Sequence, residues 1–144
     1  MKSVKKILLV EGNPKDIQRT RGVFGDINKA VELHVASDGG EAMAYLHQEG
    51  IHADAPRPDI ILLELNLPKM DGREVLAQIK KDESLKMIPT IILTTSEAEA
   101  DIVKCYQLQA NSYLSKPAQS EAFTSLIKSI HDFWLVKAQL PQER

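Results

Sequence analysis

Short apolar runs alternate along the chain with stretches in which apolar residues recur every three or four positions, the pattern of a parallel sheet covered by helices on both faces. Five rounds are present, with candidate strands at 6–10, 31–36, 59–63, 90–93 and 112–114. The third, Ile60-Ile61-Leu62-Leu63, reads as buried on both faces. Pro58 and Pro89 fall where strands begin, positions that tolerate a missing N–H. Cap residues predict the helices. Asn13-Pro14 supplies a side-chain cap followed by a proline at the first helical position. Asp38 with Glu41, Asp71 with Glu74 and Ser96 with Glu99 have the spacing in which a cap and the residue three further on satisfy each other's orphan amides. Val75, Leu76 and Ile79 are the expected inner stripe of the third helix, and Ile102, Val103 and Tyr106 that of the fourth. A fifth helix is expected from near Gln119, with Phe123, Leu126, Ile127, Ile130 and Phe133 or Trp134 inward and Pro141 as its limit.

Composition fits one domain over 1–144, with a core from 5 to 138 and a tail from 139 to 144. The chain has 144 residues, 43% apolar and 26% charged, with a net charge of −2. No room is expected for a second, effector domain. Eighteen basic residues against twenty acidic ones, with no basic block longer than two, leave no footprint for nucleic acid. Apolar runs of four residues are too short to span a membrane, and the N-terminal segment is not a signal peptide. Cys105, the only cysteine, suits a reducing cytoplasm and is expected to be a small apolar residue of the fourth helix. His34, His47, His52 and His131 have no zinc-ligand spacing.

In an open parallel sheet the ligand site lies beyond the carboxyl ends of the strands. Strand one ends in Glu11-Gly12, strand three in Glu64, strand four in Thr94-Thr95 and strand five in Ser115-Lys116-Pro117. Two carboxylates, one or two hydroxyls and an ammonium at one rim are chemistry for a phosphoryl group or a metal. Glu11-Gly12-Asn13-Pro14 is a poor phosphate cradle, because proline removes an amide.

Leu8-Leu9-Val10-Glu11, Leu62-Leu63-Glu64-Leu65-Asn66-Leu67-Pro68, Asp71-Gly72, Thr94 and Lys116-Pro117 resemble the receiver domain of two-component response regulators. Pro56-Arg57-Pro58-Asp59, Asp71-Gly72-Arg73-Glu74-Val75-Leu76 and His131-Asp132-Phe133-Trp134-Leu135 resemble the single-domain regulators that partner phytochrome kinases. The resemblance implies a flavodoxin-like sheet of order 2-1-3-4-5 with five helices. It also implies phosphoryl transfer from a histidine kinase to an aspartate after strand three, assisted by Mg²⁺. On that pattern Thr94, Lys116 and Glu11 match, Tyr113 takes the aromatic switch position beside Thr94, and the Asn66 carbonyl is a metal ligand. Two positions depart from it. Glu64 stands where the aspartate belongs, and Gly12 replaces the second acid. The longer glutamate displaces its carboxylate by about 1.5 Å, enough to harm in-line transfer. Loss of an acid removes a hard oxygen ligand. The expected site is therefore vestigial: no enzymatic turnover, no cofactor, and Mg²⁺ weak or absent at Glu11, Glu64 and Asn66.

With Glu11, Glu64 and Lys116 summing to −1, Glu64 is expected to reach Lys116 directly and fix the pocket in one state. The leading expectation is a pseudo-receiver acting by protein interaction. Its alternatives are phosphate acceptance on Glu64 and Glu64 as a constitutive phosphomimic. Mimicry ranks lower because one carboxylate carries less charge than an acyl phosphate; Thr94 drawn onto Glu64 with Tyr113 turned inward reverses that order. A flavin-type binder is a distant third class. Against the functional reading, Glu64 could be a surface acid, Gly12 a turn residue and Tyr113 a core aromatic. The expected partners are a histidine kinase, of phytochrome type on the resemblance, and a second copy through helix four, strand five and helix five. Tyr106, Tyr113, Phe133, Trp134, Leu135, Val136 and Leu140 are the expected interface, since the tail stays apolar beyond what a small sheet can bury.

Overall fold

The structure, a computed structural model, describes residues 4–141. Residues 142–144 of the expected tail, and the first three of the N-terminal segment, lie outside the described residues. Five parallel strands, β1 (Lys5–Val10), β2 (Val31–Ala36), β3 (Ile60–Leu63), β4 (Thr90–Thr94) and β5 (Ser112–Ser115), form one sheet in the order β2-β1-β3-β4-β5. Five helices connect and follow them: α1 (Pro14–Ile27), α2 (Gly39–Leu46), α3 (Gly72–Lys81), α4 (Glu99–Gln107) and α5 (Ser120–Ile130). The doubly wound α/β fold expected from the pattern is the one present, and each strand lies within one residue of its expected bounds.

Side-chain alternation divides the core between the two faces of the sheet. Leu8, Val10, Ile61, Leu63 and Ile92 pack with α2, α3 and Cys105, while Ile7, Leu9, Ile60, Leu62 and Ile91 pack with Phe24, Phe123, Ile127 and Ile130. Cys105 is fully buried, as its apolar reading requires. Three of the expected residues cap their helices, without the reciprocal bonds: Glu41 Oε1 accepts from Ser37 N and Glu74 Oε2 from Gln78 Nε2. Asn13 accepts from the Lys15 and Asp16 amides, Asp38 from Glu41 N, and Asp71 from Arg73 N. Gly72 closes the turn into α3 at a point where a Cβ would lie 2.3 Å from the Glu64 carbonyl oxygen, so α3 can approach this loop only with glycine there.

The fourth and fifth helices differ from expectation. α4 starts at Glu99 with Ala98 as its uncapping N-terminal residue, and Ser96 instead donates its hydroxyl to Asp101 at 2.6 Å. That start turns Val103 and Tyr106 outward, 43% and 49% exposed, and leaves Cys105 as the fully buried residue of the helix. After Ile130 the chain widens into a π-helix over His131–Lys137. In an i→i+5 helix the position five residues beyond Ile130 returns to the core, and that position is Leu135. Leu135 is buried, and Trp134 and Leu140 pack against the same cluster. Leu135 therefore belongs to the protein's own core and not to the free surface expected of it, while Trp134 and Leu140 are only partly buried against it. Phe133 and Val136 do face outward, at 54% and 61% exposure.

Candidate functional site

The carboxyl rim of the sheet gathers the expected residues around one atom, the Lys116 ammonium nitrogen. Glu11 extends from the end of β1 and Glu64 from the end of β3, and Lys116 follows β5 directly, its amide bonded to the Thr94 carbonyl at 2.6 Å. Lys116 Nζ lies 2.7 Å from Glu11 Oε1 and 2.7 Å from Glu64 Oε1. Its third partner is Asp16 Oδ2 at 2.8 Å. Three ammonium protons thus meet three carboxylates, and Lys116, Glu11 and Glu64 are all buried. The direct Glu64–Lys116 pair is as expected.

Asp16 was not anticipated. It lies in the first turn of α1, outside the strand ends searched for chemistry, and the Asn13-Pro14 start of the helix is the only signal that places it near the rim. Its presence corrects the charge count: three carboxylates against one ammonium give −2 rather than −1. Arg19 partly offsets this, donating to Asp16 Oδ1 at 2.8 Å.

The remaining carboxylate oxygens are also engaged. Glu11 Oε2 accepts from Asn13 N at 3.1 Å. Glu64 Oε2 accepts from Leu65 N at 2.8 Å, from Asn66 N at 3.1 Å and from the Thr94 hydroxyl in a short bond. Thr94 itself is fully buried. Burial pushes the Glu11 carboxyl above its usual range, partly opposed by its bonds to Lys116. For Asp16 burial acts in the same upward direction, but the hydrogen bonds from Lys116 and Arg19 outweigh it and hold the carboxyl low. Burial likewise opposes the charge on Lys116, and its three carboxylate partners reverse that, raising the ammonium above 10.5.

Gly12 faces inward at close quarters. A Cβ there would meet the Ser37 carbonyl oxygen at 3.0 Å and Pro68 Cδ at 3.1 Å, so a side chain at this position requires these neighbours to give by a few tenths of an ångström. A shallow cleft of about 370 Å³ lies between Asn13, Asn66, Pro68 and Thr95 above the cluster.

From Thr94 the chain leads to a second set of contacts. The Tyr113 hydroxyl donates to the Ser96 carbonyl at 2.9 Å, and its half-buried ring packs against the core cluster beneath α4. Burial raises the Tyr113 phenol, its bond to Ser96 opposing the rise. The Ser96 hydroxyl holds Asp101 Oδ2, and Asp101 Oδ1 accepts from Arg73 Nη2 at 2.6 Å; Arg73 also pairs with Asp71 at 3.1 Å. A clamp thus ties the β4–α4 loop to the start of α3. Tyr106 closes the edge of β5 by accepting from Tyr113 N at 3.1 Å. The Lys116–Pro117 bond is trans.

Among the described residues, no group of three or more His, Cys, Asp and Glu is arranged to hold a metal ion, and no helix is long and apolar enough to cross a membrane. The donors expected for Mg²⁺ are hard oxygens of the right kind, but every carboxylate oxygen of Glu11, Asp16 and Glu64 already has a protein partner. Lys116 stands where these acids converge. An ion at this rim would have to displace the Lys116 ammonium from these acids.

The chain matches the model of the response regulator receiver domain over residues 7–128. It is 44% identical over 137 residues to the response regulator Rcp1 of Synechocystis sp., covering 95% of this chain and 93% of that protein. A crystal structure of the phosphorylated cyanobacterial phytochrome response regulator RcpA superposes with a TM-score of 0.94 at 48% identity, covering 97% of this chain and all of that one. The Mn²⁺-bound form of Rcp1 superposes with a TM-score of 0.92 at 43% identity, covering 96% and 99% of the two chains.

Proposed function

The chain belongs to the response regulator receiver-domain family, and from that premise we propose that it signals by protein interaction from a pocket that Glu64 sets without phosphoryl transfer. The observation that carries this reading is the hydrogen bond from Thr94 to Glu64, made together with a half-buried Tyr113 whose hydroxyl is held by Ser96. That pair of features reverses the order drawn from the sequence: mimicry of the phosphorylated state now ranks above an inert pocket. Thr94 requires one acceptor oxygen, and Glu64 presents it on a side chain long enough to touch Lys116 as well.

Phosphate acceptance on Glu64 is the second reading, favoured by likeness to a regulator solved in phosphorylated form. The engagement of both Glu64 oxygens opposes it, since a nucleophilic oxygen must give up Lys116 or Thr94 and two amides before attack. The two readings separate by radiolabel transfer from a phosphorylated histidine kinase to the wild type and to Glu64→Gln. The mimic reading expects no base-labile label on either.

Metal binding follows the same geometry. A relative is described with Mn²⁺, so an absolute absence of metal is not part of this reading. The residues that would hold an ion are Glu11, Glu64 and the Asn66 carbonyl, and its charge would stabilise added negative charge at the rim. It would have to compete with an ammonium that has three short partners. Weak binding by isothermal titration, strengthened in Lys116→Met, is the expected result.

On likeness to phytochrome regulators, the partner proposed is a histidine kinase of phytochrome type. A second copy is the other partner, through α4, β5 and the π-helix. With Leu135 in the core, Tyr106, Tyr113, Phe133 and Val136 are proposed for that contact, flanked by the partly buried Trp134 and Leu140.

A further inference from the structure

Lys116 has three protons to place, and Glu11 and Glu64, both from strand ends, account for two of them. The third goes to Asp16, on a different element. Asp16 is in turn gripped from behind. Arg19, one turn further along α1, donates Nη2 to Asp16 Oδ1 at 2.8 Å, reaches the Ala118 carbonyl at 3.4 Å, and lays its guanidinium 3.9 Å from the centre of the Phe123 ring of α5. Arg19 is thus fixed by α5 on one side and fixes Asp16 on the other, a cation–π contact and a charged hydrogen bond in series. The result is a chain of direct contacts, Phe123 to Arg19 to Asp16 to Lys116 to Glu64 to Thr94, that runs from the outer helices into the pocket.

We propose that Asp16 is a positioning residue of this pocket: the α1 carboxylate that, braced by Arg19 against α5, holds the Lys116 ammonium on Glu64. Without it the ammonium has two anchors and one unplaced proton directed at the open cleft, and it can swing away from Glu64 toward solvent. The Glu64 carboxylate then loses the partner that fixes the oxygen opposite Thr94. Any partner that shifts α1 against α5 acts on the pocket by this route. This deepens the proposed function, since it names what keeps Glu64 in its set position, but its readout involves neither a kinase nor a phosphoryl group.

The test is side-chain ¹H–¹⁵N spectroscopy of the full chain at neutral pH. A wild-type Lys116 ammonium with all three protons bound to carboxylates exchanges slowly and gives an observable signal. Asp16→Asn is expected to accelerate that exchange at least tenfold and to shift the Leu65 and Asn66 amide resonances, with the dispersion of the remaining spectrum retained. Arg19→Gln, which leaves all three carboxylates in place, is expected to accelerate exchange by a smaller factor. It carries the test alone if Asp16→Asn does not fold. Unchanged Lys116 exchange and unshifted Leu65 and Asn66 amides in the folded variants overturn the proposal. A kinase-dependent label on Glu64 would defeat the mimic reading and leave this result standing.

Discussion

Two charged networks meet on the loop after β4, and burial separates them. The first, around Lys116, holds Thr94 through Glu64 and is closed to solvent, its lysine and two glutamates at 7% exposure or less. The second, Arg73 with Asp71 and Asp101, holds Ser96 two residues on, with side chains 24% to 53% exposed. The Arg73–Asp101 contact at 2.6 Å is as short as those of Lys116, so distance alone would not rank it lower. Dielectric surroundings do. A buried charge that loses its partner has no water to replace it, whereas a half-exposed one is resolvated at little cost. The first network therefore bears on whether the protein folds, and the second bears on where a loop sits.

The largest expected effect is that of Lys116→Met, which strands three carboxylates in the rim. Denaturant unfolding is expected to show a loss of about 3–5 kcal/mol, typical of breaking a buried ion pair from one side. If the loss is under 1 kcal/mol, the two networks are energetically alike and the contrast fails. Leu135→Ala is next, at about 2–4 kcal/mol for a truncated core leucine. Phe133→Ser, two positions away but exposed, is expected to stay within about 0.5 kcal/mol while weakening self-association by light scattering. Equal effects at 133 and 135 would contradict the π-helical register. In the clamp, Arg73→Ala is expected to leave unfolding unchanged within error but to raise the solvent accessibility of Tyr113, read by chemical modification or NMR.

Both extremes of pH loosen the Lys116 cluster. The Lys116 pKa is raised on folding, so its stabilisation is complete below the unfolded value near 10.5 and is lost as pH rises through the higher folded value. On the acid side Asp16 is depressed below 3.8, so its share persists to that pH and disappears only beneath it. Glu11, raised by burial, works against folding at neutral pH and relents on acidification. The cluster should therefore lose stability above pH 10.5 and below about 3.8, and Lys116→Met should flatten the alkaline limb.

The sheet, its strand bounds and most caps were legible because alternation and capping chemistry are local, and Glu11, Glu64, Thr94 and Lys116 do meet at the rim. What stayed hidden depends on register and reach. Asp16 sits one helical turn beyond a strand end, and nothing in a linear reading brings it 2.8 Å from a lysine one hundred residues later. Ser96 has the spacing of a cap, yet its hydroxyl finds Asp101 first, and α4 begins two residues late. In the apolar tail a π-helical turn carries Leu135 inward, which removes one of the seven residues expected at the interface.

The central claim is that Glu64 sets the pocket without phosphoryl transfer. Incubation with a phosphorylated histidine kinase, followed by gel autoradiography of wild type and Glu64→Gln, tests it most directly. The account predicts no acid-stable, base-labile label on the wild type, together with kinase binding that Glu64→Gln weakens. Label that appears on the wild type and vanishes in Glu64→Gln would contradict it.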